Sequence, residues 1–163
     1  MPTLMSRRLF TTAMAGAALA PTLGWSASHA TQIVEMLNKA PGDPSLRNVF
    51  EPRLLIIDAG QTVRFAATDK GHNSASMDKL LPEGAAPWKG AINEEIEVTF
   101  ERPGFYSYVC TPHATAGMVG LIAVKGDGMM DNFEAARNAR HRGKARKIFE
   151  EIWGELESTG LLS

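Results

Sequence analysis

The most informative part of the sequence is residues 105–124, FYSYVCTPHATAGMVGLIAV, in which a short loop joins two apolar runs. Each run has the length and the aromatic or β-branched side chains typical of a β-strand. The loop carries a thiol, an imidazole and a thioether, from Cys110, His113 and Met118. Because the loop is short and a strand anchors each of its ends, it can turn these three side chains toward one point.

Short segments with strand character extend outward from this stretch. They are residues 33–37, 54–57, 62–66 and 95–100, and Gly, Pro and Asp turn signals separate them. In the last segment Ile96, Val98 and Phe100 alternate with polar residues, which places them on one face of a strand. Repeated short strands between turn signals predict a β-sandwich over residues 31–125.

The last part of the sequence, residues 126–163, has a helical pattern. Asp131 or Asn132 can cap a first helix, which Gly143 ends. The apolar residues of this helix are Phe133, Ala135, Ala136 and Ala139. A second, amphipathic helix over residues 144–156 has an apolar stripe at three- and four-residue spacing. The stripe consists of Ile148, Phe149, Ile152, Trp153 and Leu156. It is typical of core packing, so we expect a helical extension packed on the sandwich. The balanced charges of both helices indicate a solvated face.

The first thirty residues resemble a bacterial export signal. Arg7 and Arg8 precede a mildly apolar, alanine-rich run, and the small residues up to Ala30 suit cleavage there, with Ala27 as the alternative. The paired arginines are similar to a twin-arginine signal. The apolar run is too weakly hydrophobic to be a good membrane span, although a short anchor is the alternative. We therefore expect a signal peptide over residues 1–30 and a periplasmic protein.

Composition narrows the class of protein. The chain has 163 residues, of which 44% are hydrophobic and 21% charged, which is typical of one globular domain with accessory segments. Its formal net charge of -1 gives no basic field that would indicate a nucleic-acid partner. Cys110 is the single cysteine and cannot form an internal disulfide. In an exported chain, the neighbours of this thiol favour a metal ligand over an inert buried cysteine.

A second imidazole follows the strand at residues 62–66, in Gly71-His72-Asn73. Two histidines, one cysteine and a weak methionine form the ligand set of blue-copper electron-transfer sites. Thiolate and thioether suit Cu(I), and imidazole suits Cu(II). Structural zinc sites consist of cysteine and histidine, and calcium requires oxygen ligands. The sequence therefore predicts one copper ion, cycling between Cu(I) and Cu(II), at His72, Cys110, His113 and Met118.

These motifs resemble those of the pseudoazurins, which are bacterial cupredoxins of the periplasm. The segments that carry the resemblance are residues 36–39, 49–52, 69–73, 81–85, 92–94, 110–113, 117–118 and 121–124. The resemblance covers essentially all of the chain after residue 30. It implies an all-β Greek-key sandwich of the cupredoxin type, with roughly eight strands and two C-terminal α-helices. It also implies a one-electron carrier that is not an enzyme.

The resemblance assigns roles to individual residues. His72, Cys110 and His113 resemble the strong equatorial ligands, and Met118 resembles the weak axial ligand. Asn73 matches a position whose backbone amide donates a hydrogen bond to the thiolate. Pro112 matches a residue that limits the number of donors to that sulfur.

The resemblance also suggests redox partners, namely copper nitrite reductase, other denitrification enzymes or periplasmic cytochromes. The docking face of the family surrounds the exposed edge of the C-terminal copper histidine and is ringed by lysines. Lys39, Lys70 and Lys79 are the candidates here, and they would steer acidic partners. Val109 and Ala114 depart from the family, in which a lysine and a larger residue are common. We expect a monomer with no nucleic-acid partner and no stable membrane insertion.

Two other classes of protein stay open at this point. A copper chaperone or storage protein would use exposed methionine and histidine clusters, and Met129-Met130 is the segment that suggests one. A small multicopper oxidase would need a second copper site. Only His29 and His141 are left over for such a site, which disfavours an oxidase.

Overall fold

The computed structural model describes residues 30–163. The predicted signal peptide therefore lies outside the described residues, apart from Ala30. The strands are β1 Gln32–Lys39, β2 Arg47–Glu51, β3 Leu54–Asp58, β4 Gln61–Ala66, β5 Ala75–Ser76, β6 Ile96–Phe100, β7 Gly104–Val109 and β8 Val119–Lys125. The helices are α1 Phe133–Arg137 and α2 Ala145–Ser158. Short 3-10 helices occupy Asp78–Leu80, Thr111–Ala116 and Met129–Asn132.

The strands form two four-stranded sheets in the orders β2-β1-β4-β6 and β3-β8-β7-β5. Both sheets are mixed, because β1 pairs with β4 and β3 pairs with β8 in parallel, whereas the other pairs are antiparallel. The predicted β-sandwich with C-terminal helices is thus confirmed. Each predicted segment forms a strand, and two further strands, β2 and β5, were not predicted.

The two strands that flank the ligand loop are buried on both faces. Tyr106 and Tyr108 of β7 and Ile122 of β8 face the space between the sheets. Phe105 and Leu121 point the other way, toward the C-terminal helices. A strand covered on both sides favours apolar residues at successive positions, which explains why residues 105–109 and 119–124 are almost continuously apolar, with Ser107 as the buried polar exception.

The core between the sheets is rich in aromatic side chains. Tyr108 is fully buried and contacts Phe50 and Phe65 edge-on, at ring-centroid distances of 4.8 and 5.1 Å. Cys110 and Met118 belong to this same buried cluster. These two metal-ligand candidates therefore lie in a close-packed interior, which restricts their movement.

The first C-terminal helix differs from its prediction. It spans only Phe133–Arg137, so Ala139 lies beyond it, and Asn132 does not cap it. Instead the Asn132 side chain accepts a hydrogen bond from the Phe105 N–H (3.0 Å) and donates to the carbonyls of Phe105 (2.7 Å) and Leu80 (2.8 Å). The reason is that β5 has two residues and leaves part of the β7 edge without a neighbouring strand, so a side chain satisfies those backbone groups.

The second C-terminal helix, α2, covers the outer face of the sheet that contains β7 and β8. Phe149, Ile152, Trp153 and Leu156 are buried there, together with Ala145. Ile148, which belongs to the predicted stripe, is only partly buried. Within residues 30–163, no helix is both long enough and apolar enough to cross a bilayer.

Candidate metal centre

The four predicted ligands come together at one end of the sandwich. His72 lies between β4 and β5, and Cys110 directly follows β7. His113 lies in the 3-10 helix Thr111–Ala116, and Met118 directly precedes β8. Among the described residues, His72, Cys110 and His113 form the one cluster of three His, Cys, Asp or Glu side chains suited to a metal ion, with ligand atoms within 4.8 Å of one another.

The donor atoms of this cluster form a nearly regular triangle. The His72 and His113 Nδ1 atoms are 3.2 Å apart, and the Cys110 Sγ lies 3.8 and 3.5 Å from them. A point equidistant from three atoms at these separations lies about 2 Å from each, close to the bond lengths of about 2.0–2.3 Å that first-row metals form with imidazole and thiolate. The side chains thus fit a trigonal metal ion.

The orientation of His72 is fixed by its second ring nitrogen. The Nε2 atom lies 3.0 Å from Asn38 Oδ1, and since an amide oxygen only accepts, Nε2 carries the proton. Asn38 is held in turn, because its backbone N–H donates to Asp69 Oδ2 at 2.7 Å. Burial, reinforced by the nearby His113, lowers the pKa of His72, while Asp69 opposes the shift. At neutral pH the ring is neutral and its Nδ1 lone pair points into the triangle.

Replacing Asn38 by alanine is expected to lower copper affinity by about 10- to 100-fold, because partners of a metal-ligating histidine contribute to affinity on that scale. The ring of His72 would lose the contact that selects its tautomer. Competition against a copper chelator would measure the effect. Asn138→Ala is the matched control, because the Asn138 side chain donates its hydrogen bond to Glu134 on α1 and not to a metal-ligating histidine. Equal affinities of the two variants would contradict this role of Asn38.

The Cys110 thiol is buried and receives backbone donors. Burial raises the pKa of the Cys110 thiol, and the backbone N–H groups of Asn73 and His113 act against that rise. The Asn73 side chain fixes Thr111, the residue after Cys110. Its Oδ1 accepts a hydrogen bond from the Thr111 N–H (2.8 Å), and its Nδ2 donates to Thr111 Oγ1 (3.1 Å). A bound metal would favour the thiolate, and these N–H groups stabilise that charged form.

The ligand loop is closed by its own backbone. The Cys110 N–H donates to the Met118 carbonyl at 3.0 Å, and the Met118 N–H donates to the His113 carbonyl at 3.1 Å. Gly117, at φ +101°, supplies the left-handed turn that brings the chain back to β8. Met118 is fully buried. These contacts place three of the four predicted ligands on one rigid segment.

The two histidines differ in their exposure. His72 is completely buried, whereas His113 is partly exposed and has exposed neighbours in Thr111 and Pro112. His113 is therefore the one partly exposed residue of the triangle. A molecule that approaches the metal centre from solvent by the shortest path contacts His113 first.

The candidate docking lysines are all exposed but do not lie together. Lys39 follows Asn38 and Lys70 precedes Gly71-His72, so both lie at the metal end. Lys79 lies in the 3-10 helix Asp78–Leu80. The Asn132 side chain donates hydrogen bonds to the carbonyls of both Leu80 and Phe105, so this 3-10 helix lies near Phe105. Phe105 is near the start of β7, whereas Cys110 follows its end. The structure therefore places Lys79 toward the opposite end of that strand.

Sequence reasoning missed three residues of this region. Asn38 orients His72, and Asn93 holds the backbone on either side of it, accepting from the Gly71 N–H (2.6 Å) and donating from its own N–H to the His72 carbonyl (2.8 Å). Lys89 is exposed and pairs with Ala75 beside the Asn73–Gly90 contact, which brings it to the metal end. The only feature of the sequence that could have indicated Asn38 and Asn93 is that they lie in segments that carry the family resemblance.

Fold and donor set together define a small blue-copper protein with a type-1 site. A model of the plastocyanin/azurin family of copper-binding proteins matches residues 36–125. Pseudoazurin of Methylorubrum extorquens is 34% identical over 94% of this chain and 99% of its own length, and that of Paracoccus pantotrophus is 40% identical over 76% and 80%. The solved structure of a Sinorhizobium pseudoazurin superposes with a TM-score of 0.72, at 46% identity over 78% of this chain and 97% of that one.

The chain belongs to the plastocyanin/azurin family of copper-binding proteins, and within that family to the pseudoazurins. The predicted resemblance and the predicted copper cofactor are thereby confirmed. The protein is a copper electron carrier and not an enzyme, and it works with redox partners. The segment that suggested a chaperone does not form an exposed pair, because Met129 is buried and only Met130 is exposed.

Proposed function

We propose that the protein is a periplasmic one-electron carrier that donates electrons to a copper nitrite reductase or another denitrification enzyme. The observation that carries the proposal is a His-His-Cys triangle in which His72 and Cys110 are buried and His113 alone is partly exposed. The export signal predicted over residues 1–30 supports the periplasmic location. The pseudoazurins of Methylorubrum extorquens and Paracoccus pantotrophus match 94% and 76% of this chain, and the family resemblance suggests the partner.

The protein scaffold favours fast electron transfer because it holds the donors still. A copper ion at this site would supply a one-electron couple. A His-His-Cys donor set with a weak thioether suits both oxidation states of that ion. Asn38 fixes His72, Asn73 fixes Thr111 beside the thiolate, and the loop backbone ties Cys110 to Met118. In our proposal Met118 would be the weaker fourth donor to the copper ion, and the partly exposed His113 would be the ligand that faces the partner during electron transfer.

Pro112 is expected to influence the reduction potential. It lies in the ligand loop between the thiolate and His113, and it has no N–H to donate. Pro112→Ala would add one donor near the Cys110 sulfur, which stabilises the reduced form. We expect the potential to rise by tens of millivolts, since a hydrogen bond contributes about 1 kcal/mol and a tenfold change in a one-electron equilibrium is about 59 mV. Copper should still bind, and cyclic voltammetry would reveal an unchanged potential if Pro112 has no such role.

The surface around His113 is suited to an acidic partner. Lys39 and Lys70 flank the metal end, and Lys89 joins them there. A group of like charges around the point of electron exit steers an oppositely charged partner toward it and raises the association rate. Lys79, on another part of the surface, offers a control of the same residue type.

The proposal is tested by the rate at which the reduced protein transfers electrons to purified copper nitrite reductase. The double variant Lys39→Ala/Lys70→Ala is expected to slow the second-order rate several-fold at low ionic strength and to flatten its dependence on salt. Lys79→Ala should leave both quantities unchanged. If the wild-type protein does not reduce the reductase, the proposed partner is wrong. If Lys79→Ala slows transfer as much as the double variant, the proposed docking surface is wrong.

A further inference from the structure

The second C-terminal helix contacts the ligand loop at one backbone position. The Lys144 N–H, just before α2, donates to the Thr115 carbonyl at 2.9 Å. Gly143 lies against the same peptide, and a Cβ built on it would overlap the Thr115 carbonyl oxygen and lie 3.1 Å from the carbonyl carbon. Only a residue without a side chain lets the two segments approach this closely.

A second contact lies two residues further along the loop. A Cβ on Gly117 would lie 3.2 Å from Ile148 Cγ1 and 3.3 Å from Lys144 Cβ. Gly117 turns the chain from His113 back to Met118. The segment that joins these ligands therefore rests on the beginning of α2 at two positions, Thr115 and Gly117. The partial burial of Ile148 reflects this position, between the helix and the loop.

The contact is chemically reciprocal. The first N–H groups of a helix have no acceptor within the helix, and the last carbonyls of the loop's 3-10 helix have no donor within it. The Lys144 N–H and the Thr115 carbonyl satisfy each other. The positive end of the α2 dipole also faces that carbonyl, which strengthens the bond. None of these groups is a metal ligand.

We propose that Gly143 is a positioning residue of the copper centre, through which α2 holds the His113–Met118 segment in place. The inference deepens the proposed function and rests on it only for the copper-dependent measurements. The C-terminal extension thus has a role in the redox site beyond covering the outer sheet face. A side chain at position 143 would push the Thr115 peptide away and loosen the loop.

Three glycine variants separate this contact from other effects. Gly143→Ala introduces the overlap with Thr115. Gly160→Ala shares the positive φ, +75° against +62°, but its Cβ meets only Ser163 Oγ at 3.9 Å. Gly143→Asn keeps the overlapping Cβ on a residue that tolerates the left-handed conformation better than alanine. The variants thereby distinguish the contact with Thr115 from backbone strain.

The first measurement is hydrogen exchange of the Gly117 and Met118 amides, whose acceptors are the Ala114 and His113 carbonyls. NMR would follow it in the copper-free protein and in the diamagnetic Cu(I) form. We expect exchange about tenfold faster in Gly143→Ala and Gly143→Asn than in Gly160→Ala, in both forms, since a tenfold change corresponds to about 1.4 kcal/mol. Equal exchange in Gly143→Ala and Gly160→Ala, or wild-type exchange in Gly143→Asn, would overturn the proposal.

The second measurement is the reduction potential and visible spectrum of the copper-loaded variants. A shift of both in the Gly143 variants, with Gly160→Ala like the wild type, is the expected result. Wild-type potentials and spectra in the Gly143 variants would overturn the positioning role. A wild-type protein that failed to bind copper would contradict the proposed function, whereas exchange in the copper-free variants would still test the contact itself.

Discussion

Replacing Cys110 by serine will abolish the intense visible absorption of the copper-loaded protein and its capacity to carry an electron. The colour of a blue-copper site depends on the bond between thiolate and copper, and Cys110 is the only cysteine in the chain. A serine hydroxyl is a harder donor with a much higher pKa, so it neither reproduces that bond nor stabilises Cu(I). The absorption spectrum after copper loading, together with voltammetry, measures both losses.

Ser107→Ala is a suitable control for the cysteine variant. Ser107 lies on β7, fully buried, and among the described residues its hydroxyl has no hydrogen-bond partner. Removing an unpaired buried hydroxyl should leave the fold intact or stabilise it slightly. The control protein should keep its full colour. A coloured, reversibly reducible Cys110→Ser protein would exclude the site described above.

Replacing Trp153 by alanine is expected to lower the free energy of unfolding by about 3–5 kcal/mol, the range for large-to-small changes of buried aromatic residues. Trp153 is 1% exposed and packs against Phe105 of β7 and Phe133 of α1, at ring-centroid distances of 5.3 and 5.7 Å. The Arg137 guanidinium lies over its ring. The change would leave a cavity between both helices and the sheet.

Chemical denaturation of the copper-free protein would measure this loss without a contribution from metal binding. Met130→Ala is the control, because Met130 is 47% exposed, and surface changes usually alter stability by less than about 0.5 kcal/mol. A loss for Trp153→Ala no larger than that of the control would mean that α2 contributes little to the stability of the sandwich.

The sequence predicted strands wherever burial leaves a clear pattern. Ile96, Val98 and Phe100 alternate because β6 has one covered face. β7 and β8 carry apolar residues on both faces, apart from Ser107, because both of their faces are covered. The strands that were missed lack such a pattern. β2 has one fully buried residue, Phe50, and β5 has only two residues. Of the two cap candidates, Asn132 does not cap the first helix with its side chain, because an unpaired strand edge competes for the same side chain.

The ligand set was predictable because its chemistry is unusual. A lone cysteine, a histidine and a methionine share one loop, and few metals accept that combination. The groups that support these ligands were harder to find. Asn38 and Asn93 are common polar residues, distant from His72 in sequence, and only the folded chain brings them to it. The positions of Lys79 and Lys89 relative to the metal end were equally hard to predict, because they depend on where each loop crosses the sheet.

The hydrogen bonds that tie Cys110, His113 and Met118 together have a consequence for the assembly of the site. They join protein groups alone, so folding itself can set the shape of the loop. The conformational entropy of closing the loop is then lost during folding and not during metal capture. A late-arriving copper ion would meet donors that are already arranged, and metal loading could follow folding as a separate event without rebuilding the core.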